Sequence, residues 1–90
     1  QLKQTGLYKK GISEGPWQFY YPTGQVKSKG IYLNNLENGK WIHYYDNGKI
    51  KMDLNYKMGN LDGIQMGFDE EGNLMEKAEY AEGQLIRKIK

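Results

Sequence analysis

The chain has 90 residues, a formal charge of +2, no cysteine and 13% aromatic residues. That length holds one domain with little stability to spare, and the missing cysteine removes disulfides, thiolate nucleophiles and Cys-based zinc sites. A small charge carried almost wholly by lysine, with Arg87 the single arginine, is not the concentrated Arg/Lys stripe of a nucleic-acid binder, and no run of about 20 apolar residues offers a membrane-spanning helix.

Along the chain the first strong signal is Gly15-Pro16-Trp17-Gln18-Phe19-Tyr20-Tyr21-Pro22-Thr23-Gly24. It returns as Gly39-Lys40-Trp41-Ile42-His43-Tyr44-Tyr45-Asp46-Asn47-Gly48, a period of 24 residues. A third copy, Gly63-Ile64-Gln65-Met66-Gly67-Phe68-Asp69-Glu70-Glu71-Gly72, keeps the glycines and one aromatic but not the tryptophan. Tyr8, Tyr32, Tyr56 and Tyr80 mark a second column. A constant period of this kind means stacked supersecondary units, none able to bury its apolar face alone. We read one domain over 1–90, with repeats at about 6–29, 30–53 and 54–77 and a partial unit at 78–90.

Each unit reads as two strands and two turns. The segments 16–21, 40–45 and 64–68 are short, rich in aromatic or β-branched residues and bounded by glycine. Their partners, 25–33, 49–57 and 73–81, alternate with period two. In the second, Ile50, Met52, Leu54 and Tyr56 point one way and Lys51, Asp53, Asn55 and Lys57 the other. No helical period is sustained, so the fold is an all-β antiparallel meander of stacked hairpins.

A two-residue type I′ turn suits Asn47-Gly48 but not Thr23-Gly24 or Glu71-Gly72. A three-residue loop ending in a left-handed glycine suits all three, and it pairs Tyr20 with Val26, Tyr44 with Ile50 and Phe68 with Leu74. Those apolar columns are the expected core. The same parity sends Trp17, Phe19, Tyr21, Trp41, His43 and Tyr45 to the opposite face, with Ile31 and Leu33 between the two hairpins. In the third copy that face holds Gln65, Gly67 and Asp69. The other turns, 11–15, 34–39 and 58–63, read as longer, variable loops of the kind that carry recognition. A fourth unit starts after Tyr80 and reaches Lys90, with Ile89 in the tryptophan column.

The G-x-W-x-x-Y-Y-x-x-G block followed by a tyrosine column resembles the variant MORN (membrane occupation and recognition nexus) repeat of bacteria, over 6–81 fully and 82–90 in part. The resemblance implies a curved, single-layer antiparallel sheet without catalytic residues of its own. It also implies a role like that of the YwqK-type antitoxins or of exported, surface-associated repeat proteins. The third copy departs from the motif at Gln65 and Asp69, which sets it apart from any role tied to those aromatics.

An enzyme is not expected. His43 is the single histidine, and adjacent columns supply no set of nucleophile, base and orienting group. One histidine has no partners at metal-ligand spacing, Asp69, Glu70 and Glu71 do not match a calcium loop, and the glycines are hairpin glycines rather than a phosphate cradle, so no cofactor is expected. Lys27, Lys29, Lys40, Lys49 and Lys51 interleave with aromatics, but Glu14, Glu37 and Asp46 lie among them, against nucleic acid.

The expected function is a protein–protein interaction module, binding through Trp17, Phe19, Tyr21, Ile31, Leu33, Trp41, His43 and Tyr45 together with the inter-repeat loops. The plainer reading of each ring is that it closes the sheet's own interior. Open sheet edges suggest a homo-oligomer or a longer array. The alternative is a membrane-surface module that binds lipid headgroups, for which Trp, Tyr and Lys suit an interface but a polybasic cluster is missing. The compartment stays open; Gln1 in place of Met leads us to expect an exported chain over a cytoplasmic one.

Overall fold

A computed structural model describes residues 4–90; the side chains of Leu7, Lys9 and Tyr8, the first member of the tyrosine column, lie outside the described residues. The strands are β1 (Gln4–Lys9), β2 (Ile12–Tyr20), β3 (Val26–Leu33), β4 (Leu36–Glu37), β5 (Gly39–Tyr44), β6 (Ile50–Lys57), β7 (Asn60–Leu61), β8 (Gly63–Phe68), β9 (Leu74–Ala81) and β10 (Gln84–Lys88). They form one antiparallel sheet in the order β1-β2-β3-β5-β6-β8-β9-β10, with short β4 beside β3 and β7 beside β6. Sequence neighbours are therefore sheet neighbours, and the sheet is open. Its extents are 39 × 31 × 11 Å. Packed sheets lie about 10 Å apart, so the thin dimension leaves no room for a second layer.

Two kinds of turn alternate. The expected three-residue loops are present: Tyr20 pairs with Val26, Tyr44 with Ile50 and Phe68 with Leu74. In the second loop Tyr45 N–H donates to Lys49 O at 2.8 Å and Gly48 N–H to Tyr45 O at 3.0 Å, with Gly48 at φ +88°. The other turns correct the expectation of long recognition loops. Leu33 pairs with Leu36 and Lys57 with Asn60, closing two-residue turns at Asn34-Asn35 (φ 51° and 68°) and Met58-Gly59 (φ 50° and 87°). Lys10-Gly11 and Glu82-Gly83 do the same. Positive φ at both central residues marks type I′, whose twist matches that of the flanking strands. The short strands β4 and β7 consume the rest of each presumed loop, so little free backbone is left to recognise anything.

The core also differs from expectation. Trp17 and Trp41, at 4% exposed, and Leu54 form the buried apolar set, with Ser28 and Gln65 as its polar members. The Tyr20/Val26, Tyr44/Ile50 and Phe68/Leu74 columns are paired as expected but only partly covered, and Ile50 is 38% exposed. The reason is a β-bulge in each repeat. Phe19 pairs with Ser28 while Tyr20 pairs with Val26, so Lys27 is an extra residue; Lys51 and Met75 are extra in the next two repeats. An extra residue breaks strict alternation. It sends Ile50 to the far face from Met52 and Leu54, against the period-two reading.

Candidate functional site

The bulges decide which residues share the aromatic face. Beyond the bulge Trp17 pairs with Gly30 and Gly15 with Tyr32, which places Tyr32 beside the indoles and Ile31, paired with Pro16, on the other side of the sheet. Ile31 is 46% exposed there, and Leu33 follows it by alternation. Both leave the predicted binding set: the expectation counted register straight from the hairpin loop and missed the bulge.

The remaining six predicted residues do share one face. Trp17 and Phe19 stack with centroids 6.1 Å apart, and Phe19 lies 6.4 Å from Trp41. Tyr32 sits edge-on between the indoles, 5.6 Å from Trp17 and 5.0 Å from Trp41. His43 extends the row, 6.5 Å from Trp41. Offset and edge-to-face contacts at such distances contribute about 0.5–1.5 kcal/mol each beyond area burial.

Depth divides these residues by role. Each indole lies across a glycine of the preceding strand. A Cβ on Gly6 would fall 2.0 Å from Trp17 Cδ2, and one on Gly30 2.0 Å from Trp41 Cδ2. Trp41 Nε1 donates to Ile31 O at 2.9 Å, which ties the ring to the backbone beneath it. Trp17 and Trp41 therefore belong to the packing of the sheet and offer a partner almost no surface. Phe19, Tyr21, His43 and Tyr45 are half-buried and present an edge to solvent.

Tyr21 and Tyr45 also join repeats. Tyr21 O–H donates to Tyr44 O, and Tyr45 O–H to Phe68 O, each at 2.6 Å. Asp69 ends this series and folds onto its own turn, its carboxylate accepting from the N–H groups of Glu71 and Asn73 at 2.9 Å. The bonds from Asn73 hold its carboxyl below the usual carboxylate range.

The third repeat rebuilds the tryptophan's work with other atoms, which the sequence reading missed. Leu54 fills the glycine column and Gln65 the tryptophan column, so bulk moves from one strand to its neighbour. Gln65 Nε2 donates to Asn55 O at 3.0 Å, as Trp41 Nε1 does to Ile31 O one repeat earlier, and its Oε1 accepts from Asn55 N–H at 2.6 Å. The paired change, Gly to Leu with Trp to Gln, is the signal that could have found it.

At the far end of the row Ser28 Oγ lies 2.7 Å from His43 Nδ1. Burial, then Lys51 and Lys27, push the imidazole below its ordinary pKa, against an opposing pull from Glu37. Together these effects favour the neutral ring. Among the described residues no group of three or more His, Cys, Asp or Glu side chains is placed to hold a metal ion, and no helix is long and apolar enough to cross a membrane.

Comparison with curated proteins returned no match. The pattern of the MORN repeat variant matches residues 13–34, 37–58 and 61–82. Each match runs from the tight turn of one unit, through its Gly-x-Trp strand or the Gln65 equivalent, to the tight turn of the next. These repeats are in general associated with binding and recognition rather than with a known class of enzyme. Three consecutive matches take in most of the chain, and it belongs to the MORN repeat variant family.

Proposed function

We propose that the chain is a non-catalytic module that binds a protein partner on its aromatic face, in the manner of an antitoxin or a surface-associated recognition protein. One observation carries this reading. Phe19, Tyr21, His43 and Tyr45 are half-exposed on one face over two repeats, Phe19 and His43 flanking the buried Trp41, on a sheet with no second layer to cover them. Tyrosine and its aromatic relatives supply large contact area at low entropic cost, and they concentrate at interface hot spots. The two buried indoles hold the row in place. The lipid-headgroup reading draws less support, because interfacial anchoring uses exposed Trp and Tyr rings and both tryptophans here are 4% exposed.

The two faces of a single layer can be tested separately. Phe19→Ser with Met52→Glu alters the aromatic face, and Ile31→Glu with Ile50→Glu alters the other. Cross-linked capture from the source cells should retain one partner with wild type and with the Ile31/Ile50 variant, and lose it with the Phe19/Met52 variant. Melting curves confirm that both variants fold. Loss on the Ile31/Ile50 variant alone would move the binding surface to the opposite face and overturn the reading.

A further inference from the structure

The bulges bring Lys27 and Lys51 onto the aromatic face. Lys27 Nζ lies 5.9 Å from the Tyr21 ring centroid, and Lys51 Nζ 5.6 Å from that of Tyr45. Both are cation–π distances, so the tyrosines steer the two ammonium groups. Between them opens a notch of about 160 Å³, lined by Tyr21, Lys27, Ser28, His43, Lys51 and Met52. Its floor is polar: Ser28 is 7% exposed and engages His43 Nδ1, which leaves Nε2 for another partner.

Glu37 opposes this positive charge at His43 only through space, without an ion pair to either lysine among the described residues. Lys40 pairs with Asp53 at 2.8 Å and Arg87 with Glu79 at 2.8 Å, but neither Lys27 nor Lys51 makes an ion pair among the described residues. Nor is the notch a by-product of the repeat. One unit further on, the columns of Lys27, His43, Lys51 and Met52 hold Lys51, Gly67, Met75 and Glu76. Of the two lysines only one remains in that second position, and a carboxylate has joined it. The charge is concentrated where the first two repeats meet, at the end of the exposed aromatic row.

We infer that this notch takes the carboxylate of an Asp or Glu side chain from an acidic segment of the partner protein. The carboxylate lies between Lys27 and Lys51, and the neighbouring partner residue packs on the edges of Phe19 and Tyr21. A cavity of this size admits one such side chain. Two lysines fall short of the cluster of 4–8 that attracts anionic lipid, and the buried indoles are withdrawn from any bilayer, so the charge suits a protein segment better than a membrane. Complementary charge beside an aromatic contact sets register and on-rate. The inference rests on the aromatic face being a protein-binding surface.

The probe is a capped peptide with adjacent glutamate and tyrosine residues, followed by NMR against its glutamine counterpart, inorganic phosphate, and vesicles with and without anionic lipid. We expect saturable shifts at Ser28, His43 and Lys51 with the glutamate peptide alone. Affinity should fall about tenfold in Lys27→Gln/Lys51→Gln, as expected for losing two partly exposed ion pairs, and fall further with salt. Both lysines are exposed, so the variant keeps its fold, which its melting temperature checks. Equal shifts from the glutamine peptide, no binding of either peptide, or binding of phosphate or anionic vesicles in place of the peptide would each overturn the inference. Capture by the face variants separates the two readings. A partner lost on Phe19→Ser/Met52→Glu but kept by Lys27→Gln/Lys51→Gln sinks the notch and leaves the face intact.

Discussion

His43 stands in the column that Phe19 occupies one repeat earlier, and the difference can be read as pH dependence. The folded protein disfavours the charged imidazole, chiefly through burial and then through Lys51 and Lys27, with Glu37 opposing. The unfolded chain, with an ordinary histidine pKa of about 6.5, takes the proton first as pH falls. The neutral ring's contribution is therefore complete above about pH 6.5 and is lost as pH drops through the lower folded value. His43→Phe should flatten the decline in melting temperature between about pH 7 and pH 5; parallel declines would show that burial does not hold the ring neutral. The tyrosine hydroxyls make a second test. Tyr21→Phe and Tyr45→Phe each remove one inter-repeat hydrogen bond to a backbone carbonyl and should cost about 1 kcal/mol in urea denaturation. The carbonyl that Tyr21 engages, Tyr44 O, belongs to the peptide unit that leads into Tyr45, so a double-mutant cycle should show coupling between the two clamps rather than a simple sum.

At the level of strands and their pairs, the exchange of bulk between columns can be tried directly. Gly30→Leu alone drives a side chain into the Trp41 ring and should destabilise severely; Trp41→Gln alone removes a buried indole and should cost about 3–5 kcal/mol. Together they copy the Leu54/Gln65 arrangement, and the double variant should recover a large part of the loss in thermal melts. An additive double variant would mean that the third repeat depends on something other than this pair. Gly48→Val places a β-branched residue at φ +88° and should cost at least about 1–2 kcal/mol, measured by denaturant midpoint. These elements also mark how far the sequence could be read. The repeat, the strands and the three-residue loops were legible because glycine spacing and alternation follow from backbone sterics and burial. The bulges were not. No residue type is common to all three of Lys27-Ser28, Lys51-Met52 and Met75-Glu76, since a bulge here is set by counting pairs across two strands rather than by one strand's composition. Missing that one residue per repeat put Ile31 and Leu33 on the wrong face and concealed how Lys27 and Lys51 reach the aromatic row. The tight turns were hidden too: Met58 and Glu82 adopt a conformation their side chains do not advertise, and the asparagines at 34 and 35, which tolerate it, were read only as loop content.

Across the whole molecule, stability is a sum of units and of interfaces between neighbours. The middle strands β5 and β6 hold Trp41 and Leu54 and have a paired strand on either side, whereas β10 is exposed along its length. Native-state hydrogen exchange should therefore show protection falling from β5 and β6 towards β1 and β10, not a uniform global value. Uniform protection would mean that the array opens only as one block. The strand order carries a mechanical corollary as well. Because each strand lies beside its neighbour in the chain, tension applied at β1 and β10 loads the outermost hydrogen bonds one after another and peels the sheet like a zipper. A sheet pulled in shear would engage a whole row at once. Such a protein yields at low force and lengthens in steps of one hairpin, with the Tyr21 and Tyr45 clamps as the catches between steps.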